Sequence, residues 1–229
     1  MSEWIKLKAS DGHELSAYVA RPEGMPLGAI VLLQEIFGVN FHIRSVADGY
    51  ARDGYLVVAP ALFDRLERGV ELKYESKEGK KGYALRLKLS IDLVLLDIAA
   101  AFEHVRGTGK GTAVLGYCFG GFLSWLSATR GKSVKMDPKC CVGYYPGGIG
   151  DVAAEKPACP VMLHFGAKDE HIGNEQIDAV RNAHHANVEV YVYEGAEHGF
   201  NCDARSSFHA PSAKLARERS LAFLKKYIA

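Results

Sequence analysis

The stretch that decides the fold is Gly116-Tyr117-Cys118-Phe119-Gly120-Gly121. An apolar run at residues 112–117 leads into it and is typical of a buried strand, and a segment with helical periodicity follows. Where a strand turns sharply into a helix the backbone is crowded, and flanking glycines remove the Cβ clashes. The turn leaves the Cys118 thiol at the helix N-terminus, where the positive end of the helix dipole favours a thiolate. The stretch predicts a strand, a tight turn and a helix with a reactive cysteine; a buried structural cysteine is the alternative for this stretch taken alone.

Apolar runs of strand length alternate with helical segments along the chain. The runs lie at residues 29–34, 55–59, 112–117, 141–145, 161–165 and 188–193, and the helical segments at 43–52, 85–105, 121–129, 175–185 and 212–227. Runs that are apolar at every position indicate strands covered on both faces. The alternation predicts a mostly parallel central sheet with helices on both faces, because each parallel connection is long enough to hold a helix.

The N-terminal region follows a different pattern. Residues 4–9 and 14–20 are interpreted as two strands joined by Ser10-Asp11-Gly12, and Asp-Gly is a strong hairpin signal, so an antiparallel ribbon is expected. Residues 63–81 are the least regular part of the chain and are interpreted as either a solvated surface loop or a flap bordering the functional site. No repeat or linker divides the chain, so residues 1–229 are expected to form a single domain.

Composition narrows the classes of function. The 28 Lys and Arg residues nearly balance 27 Asp and Glu residues, so no global field favours nucleic acid or an anionic membrane as a partner. No window approaches the roughly 18 uninterrupted apolar residues of a transmembrane helix, and residues 1–6 lack a secretory pattern, so a cytoplasmic location is expected. The five cysteines show no metal-type or secretory spacing and are expected to be free thiols.

Two further residues of interest follow strands in the second half of the chain. Asp169 comes just past the run at 161–165, and His198 comes just past the run at 188–193. In open α/β sheets ligands bind outside the carboxyl ends of the strands, so Cys118, Asp169 and His198 can converge there. Taken singly, Asp169 is also compatible with a turn cap and His198 with a packed histidine. Nucleophile, acid and histidine in this order are typical of the α/β-hydrolase fold and together predict that fold and a catalytic triad.

The segment Gln34-Glu35-Ile36-Phe37-Gly38-Val39-Asn40 follows the first buried strand. This is the position from which the α/β-hydrolase fold supplies one of its two oxyanion donors. The backbone N–H groups of Ile36 and Phe119 are therefore the expected pair for a developing oxyanion. Glu35, judged on physical grounds alone, is a strand-end carboxylate that is solvated or hydrogen-bonded.

With these motifs the chain resembles the dienelactone hydrolases (carboxymethylenebutenolidases) over nearly its whole length. The resemblance is carried by Asp11-Gly12-His13, residues 34–40, residues 116–121, Gly143-Tyr144-Tyr145, Asp169, His198 and Phe200. It implies a triad of Cys118, His198 and Asp169 with Glu35 close to the thiol. In the family this glutamate pairs with the resting, protonated cysteine and takes its proton when substrate displaces it. The resemblance also implies substrate-binding roles for Phe37, Tyr144, Tyr145 and Phe200.

The sequence departs from the family pattern where the substrate carboxylate is held. Characterised members use two arginines, one in the flap and one four residues after the catalytic histidine, whereas the corresponding positions here are Lys81 and Cys202. A lysine supplies charge without a bidentate fork, and a cysteine supplies neither. Lys81 is therefore expected to bind substrate, and Arg205, three residues beyond Cys202, is either a compensating second cation or a solvated surface group.

The expected function is hydrolysis of small enol-lactones or esters, preferably carboxylate-bearing ones, through a thioester formed on Cys118. No metal or organic cofactor is expected, because the remaining histidines show no ligand spacing with Cys or acidic partners. The expected partner is a small-molecule ester or lactone, with no nucleic acid and no membrane, and the chain is expected to be a monomer or a weak homodimer. Two alternatives stay open: a generic carboxylesterase or thioesterase, and a non-catalytic relative that binds ligands or senses thiol-reactive compounds.

Overall fold

The computed structural model describes residues 1–229 and contains one eight-stranded sheet. The strands are β1 (Ser2–Lys8), β2 (Glu14–Ala20), β3 (Ala29–Leu33), β4 (Leu56–Pro60), β5 (Thr112–Tyr117), β6 (Cys140–Tyr144), β7 (Val161–Gly166) and β8 (Val188–Tyr193). The α-helices are α1 (Phe41–Arg52), α2 (Ser76–Lys88), α3 (Ile91–His104), α4 (Phe119–Arg130), α5 (Asn174–Asn182) and α6 (Ala210–Ile228). The strand order across the sheet is β1-β2-β4-β3-β5-β6-β7-β8.

Strand direction divides the sheet into two parts. β1 pairs antiparallel with β2, and β2 pairs antiparallel with β4, whereas β3 to β8 pair in parallel. Gly12, at the ribbon turn, has φ +90°, a conformation that glycine adopts without a Cβ penalty. The predicted parallel sheet and the predicted N-terminal antiparallel ribbon are both confirmed.

The core lies on both faces of the parallel part of the sheet. Every residue of β3, β4, β5, β6 and β7 is buried, which requires cover above and below the sheet. The carboxyl ends of these parallel strands therefore meet at one edge of a well-packed body. Side chains placed just beyond those ends share one crevice.

The prediction of one long helix at residues 85–105 is wrong. α2 ends at Lys88 and α3 begins at Ile91, and Leu89 and Ser90 between them adopt extended backbone angles. Periodicity alone misses such a break, because both flanking segments are amphipathic and the buried Leu89 continues the apolar pattern.

The segment predicted to be irregular, residues 63–81, is also more ordered than expected. A short 3₁₀ turn spans Leu62–Arg65, and the last residues of the segment already belong to α2. Between them, the Leu72 N–H donates to the Phe37 carbonyl at 2.9 Å, and the Asn40 side-chain amide donates to the Leu72 carbonyl at 3.0 Å. These bonds hold the segment against the loop after β3. We call this segment together with helix α2 the flap. No helix of the protein combines the length and the apolar character needed to cross a membrane.

Candidate active site

Cys118 occupies a strained turn between β5 and α4. Its backbone angles are φ 52° and ψ −115°. Residues other than glycine rarely adopt this backbone conformation, which costs on the order of 1–3 kcal/mol. A Cβ on Gly116 would lie 2.1 Å from the Gly120 carbonyl oxygen, and a Cβ on Gly120 would lie 2.3 Å from that of Leu33. Glycine is thus required on both sides of the turn, as the sequence pattern predicts.

The loops after β7 and β8 are joined by backbone contacts. A Cβ on Gly166 would lie 2.4 Å from the Ala196 carbonyl oxygen, so the two loops approach more closely than a side chain allows. The Lys168 N–H donates to the same Ala196 carbonyl at 2.8 Å. This approach sets Asp169, on the first loop, against His198, on the second.

Cys118, His198 and Asp169 form one hydrogen-bonded chain. His198 Nε2 lies 3.2 Å from Cys118 Sγ, and His198 Nδ1 lies 2.8 Å from Asp169 Oδ2. The other carboxylate oxygen, Oδ1, accepts the N–H groups of His171 at 2.9 Å and Ile172 at 3.1 Å, which fixes the orientation of the carboxylate. The convergence of these three side chains is what the strand ends predict.

The charge state of His198 follows from its neighbours. Burial disfavours the charged ring, but the negative charge on Cys118 and the hydrogen bond to Asp169 raise the pKa of His198 to about 10. An imidazole that is oriented by a carboxylate and hydrogen-bonded to a thiol can accept the proton of that thiol, and the thiolate is the reactive form. The arrangement is suited to attack on a carbonyl carbon.

The backbone N–H groups of Ile36 and Phe119 are the pair predicted to bind an oxyanion, and both residues line the pocket that contains Cys118. The N–H of Ile36 has no hydrogen-bond partner in the protein. Phe119 is the first residue of α4, and its N–H belongs to the first helical turn, whose donors have no intrahelical acceptor. A Cβ on Gly82 of α2 would lie 2.0 Å from the Ile36 carbonyl oxygen. The backbone of α2 can therefore pack directly against the Ile36 peptide only because residue 82 has no side chain.

Glu35 is fully buried and does not pair with the thiol. Its Oε2 accepts a hydrogen bond from the Tyr74 hydroxyl at 2.7 Å, and its Oε1 lies 3.6 Å from an Arg205 nitrogen. Cys118 hydrogen-bonds to His198 instead. The Glu35–Cys118 pair implied by the resemblance is therefore absent from this structure, because Tyr74 and Arg205 hold the carboxylate. Tyr74 lies in the irregular segment 63–81, where no sequence pattern indicates its contact with Glu35.

The cleft over Cys118 has a volume of about 360 Å³. Of the residues named by the sequence analysis, Ile36, Phe37, Phe119, His198 and Arg205 line it together with Cys118. Tyr83, Arg86 and His171 also line it and were not predicted. Tyr83 and Arg86 are three residues apart on α2 and share a helix face, a signal that was available once this segment was recognised as a helix.

Arg86 is the cation that α2 brings to the cleft, and Lys81 is not. The Lys81 ammonium lies 2.6 Å from Glu67 in an exposed pair, and Lys81 does not line the cleft. Arg86 packs with its guanidinium carbon 5.5 Å from the centre of the Phe119 ring and has no carboxylate partner within 4 Å. The prediction for Lys81 is corrected accordingly, since helical geometry turns the two positions to different faces of α2.

Three aromatic residues predicted to bind substrate lie beneath the cleft instead. Tyr144, Tyr145 and Phe200 are fully buried, and none of them lines the cavity. The Tyr144 hydroxyl lies 2.7 Å from Ser220 on α6, and the centre of the Tyr145 ring lies 5.0 Å from that of His198. The correction is that these rings support the site from below.

No three His, Cys, Asp or Glu side chains come close enough together to hold a metal ion.

All five cysteines are free thiols, and burial together with the charge on Glu35 raises the pKa of Cys202 to about 12. Cys202 is thus a neutral thiol beside Glu35 at the position where the family pattern has an arginine.

Comparison with known proteins shows the family to which the chain belongs. A model of the dienelactone hydrolase family matches residues 15–228. The carboxymethylenebutenolidase of Pseudomonas putida is 31% identical over 233 residues, covering 98% of this chain and 96% of that protein. The crystal structure of the "Putative Dienelactone Hydrolase" of Klebsiella pneumoniae has a TM-score of 0.84 and 30% identity, covering 99% of this chain and 100% of that one.

A more distant structure, a Pyrococcus furiosus esterase, has a TM-score of 0.70 at 15% identity, covering 100% of this chain and 91% of that one, and shares the fold alone. The resemblance that the motifs carry is confirmed by the family model and by the full-length relatives. The chain belongs to the dienelactone hydrolase family and is a carboxylic ester hydrolase with the α/β-hydrolase fold.

Proposed function

We propose that the protein opens small, carboxylate-bearing enol-lactones or esters through a covalent thioester on Cys118. The observation that carries the proposal is the hydrogen-bonded chain from Cys118 Sγ through both nitrogens of the His198 ring to Asp169, at 3.2 Å and 2.8 Å. A nucleophile, a base and a group that orients the base, each within reach of the next, are the parts that acyl transfer requires.

The reaction has two stages. In the first, the Cys118 thiolate attacks the carbonyl carbon, and the N–H groups of Ile36 and Phe119 bind the oxyanion that develops. The carbon–oxygen bond of the lactone or ester then breaks, and the protonated His198 ring donates a proton to the departing oxygen. In the second stage His198 removes a proton from water, which attacks the thioester and releases the carboxylic acid and the Cys118 thiolate.

Two arginines support a preference for anionic substrates. Arg86 and Arg205 both line the cleft; Arg86 has no carboxylate partner within 4 Å, and Arg205 lies 3.6 Å from Glu35, beyond hydrogen-bonding distance. Guanidinium groups bind carboxylates with two parallel hydrogen bonds, which fix orientation as well as charge. A cleft of about 360 Å³ suits a small molecule. The name of the Pseudomonas putida relative, carboxymethylenebutenolidase, describes a lactone that bears a carboxylate.

The chemistry is tested by Cys118→Ala and Cys118→Ser, with Cys140→Ala in β6 as the matched control. We expect Cys118→Ala to lose kcat by about a thousandfold or more, as for removal of a catalytic nucleophile, and the control to keep it. Mass spectrometry of the wild type quenched during turnover of a dienelactone should show the mass of the acyl group on the peptide that contains Cys118. Near-normal turnover by Cys118→Ala would end the proposal.

Substrate class is tested separately. kcat/KM is measured for a carboxylate-bearing dienelactone and for its neutral methyl ester, in the wild type and in Arg86→Met, Arg205→Met and Lys81→Met. Each arginine variant should lower the acid-to-ester ratio by about tenfold, and Lys81→Met should leave it unchanged. Equal rates for acid and methyl ester in the wild type would favour a generic carboxylesterase, and fast turnover of acyl thioesters alone would favour a thioesterase. Absence of turnover on all substrates would favour the thiol-sensing alternative.

A further inference from the structure

The strand β8 forms one edge of the eight-stranded sheet, and β1 forms the other. The carbonyl of Asn187, directly before β8, accepts the Val161 N–H of β7 at 2.8 Å. Because alternate residues of a strand direct their backbone groups to opposite sides, the N–H and C=O groups of Val190 and Val192 point away from the sheet. No strand of the protein pairs with this side of β8. The edge is a row of unpaired donors and acceptors, on which another strand can add.

The two edges of the sheet differ in composition. β1 reads Ser-Glu-Trp-Ile-Lys-Leu-Lys and carries three charged side chains, whereas β8 reads Val-Glu-Val-Tyr-Val-Tyr and carries Glu189 alone. Charged residues, above all lysine, and proline protect edge strands from pairing with other chains. β8 has neither lysine nor proline, and its valines are half-buried, unlike the residues of the fully buried strands β3 to β7. The side chains of a further strand beside β8 would cover these valines.

Two charged groups on one face of this edge have no ion-pair partner within the chain. The exposed Glu189 accepts a hydrogen bond from the Tyr191 hydroxyl at 2.8 Å, and the Arg219 guanidinium carbon of α6 lies 4.1 Å from the centre of the Tyr191 ring. No cation lies within 4 Å of Glu189, and no carboxylate lies within 4 Å of Arg219. An acid and a cation follow each other along the edge, and this pattern complements itself when two copies run in opposite directions.

We propose that β8 pairs antiparallel with β8 of a second copy of this chain about a two-fold axis, so that the protein is a homodimer. Two-fold dimers, in which both copies use the same surface, are the commonest soluble oligomers. The register that pairs every outward-facing residue of β8 sets Val190 opposite Val190 of the second copy and Val188 opposite Val192. The proposal goes beyond the hydrolysis and does not depend on it.

The same register brings the unpaired charges together. Glu189 comes opposite Tyr191 of the second copy, and directly opposed residues of antiparallel strands share a face of the sheet. Arg219 of that copy lies on this tyrosine ring and meets Glu189, and the two-fold axis repeats the contact. A shift of the register by two residues in either direction would leave an outward-facing residue of β8 opposite a residue outside the strand.

Analytical ultracentrifugation of the full-length protein over a concentration series measures its mass. The wild type should approach twice the chain mass of 25.0 kDa as the concentration rises. Glu189→Lys opposes two cations across the interface, and Arg219→Glu opposes two acids, so each should raise the dimer Kd by about tenfold or more. The double variant Glu189→Lys/Arg219→Glu exchanges the two charges and should restore dimerisation, which would not occur if the single variants had only damaged the folded edge.

The control Glu3→Lys makes the same change on the other edge strand, β1, and should leave the dimer intact. Hydrogen exchange locates the contact without a substitution, because the amides of Val190 and Val192 should exchange more slowly as the protein is concentrated. The proposal would be overturned by a wild type that stays monomeric up to its solubility limit, or by exchange of these amides that does not depend on concentration. Dimers that survive both single charge changes, a monomeric double variant, or dissociation by Glu3→Lys would overturn it equally.

Discussion

The hydroxyl of Tyr74 donates a hydrogen bond to Oε2 of Glu35 at 2.7 Å, and this contact joins the flap to the loop that follows β3. Glu35 has no exposed surface, and its other oxygen has no hydrogen-bond partner. Burial and the Glu35 charge raise the pKa of Tyr74 above its usual value, so the phenol remains a donor. A buried carboxylate held by one hydrogen bond and one cation at 3.6 Å is sensitive to the loss of either.

The first prediction concerns Tyr74→Phe. Removal of the hydroxyl leaves a buried carboxylate without its only hydrogen bond, so the free energy of unfolding should fall by about 1–3 kcal/mol. Urea denaturation at pH 7.5 measures the loss. Tyr83→Phe is the matched control, because Tyr83 is 52% exposed on the same flap, and its unfolding free energy should change by less than about 0.5 kcal/mol. Equal unfolding free energies for wild type and Tyr74→Phe would show that the bond contributes nothing.

The second prediction concerns the titration of His198. Its pKa of about 10 depends on the charge of Cys118, so Cys118→Ala should lower the pKa by more than one unit. Because the folded-state pKa lies above the unfolded value of about 6.5, the pair stabilises the fold fully below that pH, and this contribution is lost as the pH rises through about 10.

NMR of ¹⁵N-labelled histidine follows the ring directly, and denaturation at pH 6.5 and pH 10 follows its effect on stability. The wild type should lose more stability over this interval than Cys118→Ala. A His198 pKa that stays near 10 in the alanine variant would assign the shift to Asp169 alone.

The third prediction concerns Arg65, which binds the buried Asp97 carboxylate through two hydrogen bonds of 2.6 Å and 2.8 Å. Burial raises the pKa of Asp97 to about 6 although Arg65 opposes the shift. Because the folded-state pKa is above the unfolded one, the stability that Asp97 contributes is present at low pH and lost as the pH rises through about 6.

Arg65→Met should therefore cost about 3–5 kcal/mol at pH 7.5, where Asp97 becomes a buried unpaired charge, and clearly less at pH 4.5, where it is protonated. Urea denaturation at both pH values gives the comparison. The control Arg106→Met removes a half-exposed arginine paired with Glu103 and should cost less than about 1 kcal/mol at either pH. A cost for Arg65→Met that does not depend on pH would contradict the role assigned to Asp97.

The fourth prediction concerns the glycines of two helices. Gly120→Ala in α4 would place a methyl group 2.3 Å from the Leu33 carbonyl oxygen, which no flexible side chain can relieve, so the variant should be destabilised by more than about 3 kcal/mol or fail to fold. Gly79→Ala in α2 would meet only the Phe37 ring, at 3.8 Å, and should be stabilised by about 0.5–1 kcal/mol. Thermal unfolding of the two variants measures the contrast, and similar melting temperatures would show that α4 can move away from β3.

Much of the fold could be predicted from local pattern. The six parallel strands and the N-terminal ribbon were predicted within one or two residues, because apolar runs and an Asp-Gly turn are local signals. Cys118, Asp169 and His198 could be placed together because each follows the end of a different parallel strand. The order of the strands and helices along the chain and the parallel direction of the strands are enough to predict this placement, and the packing of side chains is not needed.

Other features depended on contacts between segments distant in sequence. The flap could be interpreted only from its composition. Most of its helix α2 was not predicted, because Gly79 and Gly82 lower the helix propensity. Gly82 is needed because the backbone of α2 contacts the Ile36 carbonyl at this residue. Glu35 was expected beside the thiol, yet Tyr74 from the flap holds it.

The sequence by itself determined the sheet, the strained cysteine turn and the placement of Cys118, Asp169 and His198 at strand ends, because these follow from hydrophobic periodicity and from the steric needs of glycine. Only the tertiary structure decided that Arg86 and not Lys81 faces the cleft and that Tyr144, Tyr145 and Phe200 lie beneath it. The physical reason is that the direction of a side chain depends on how one helix is rotated against the rest of the protein. That rotation is set by packing across the whole core and not by the residues of the helix alone.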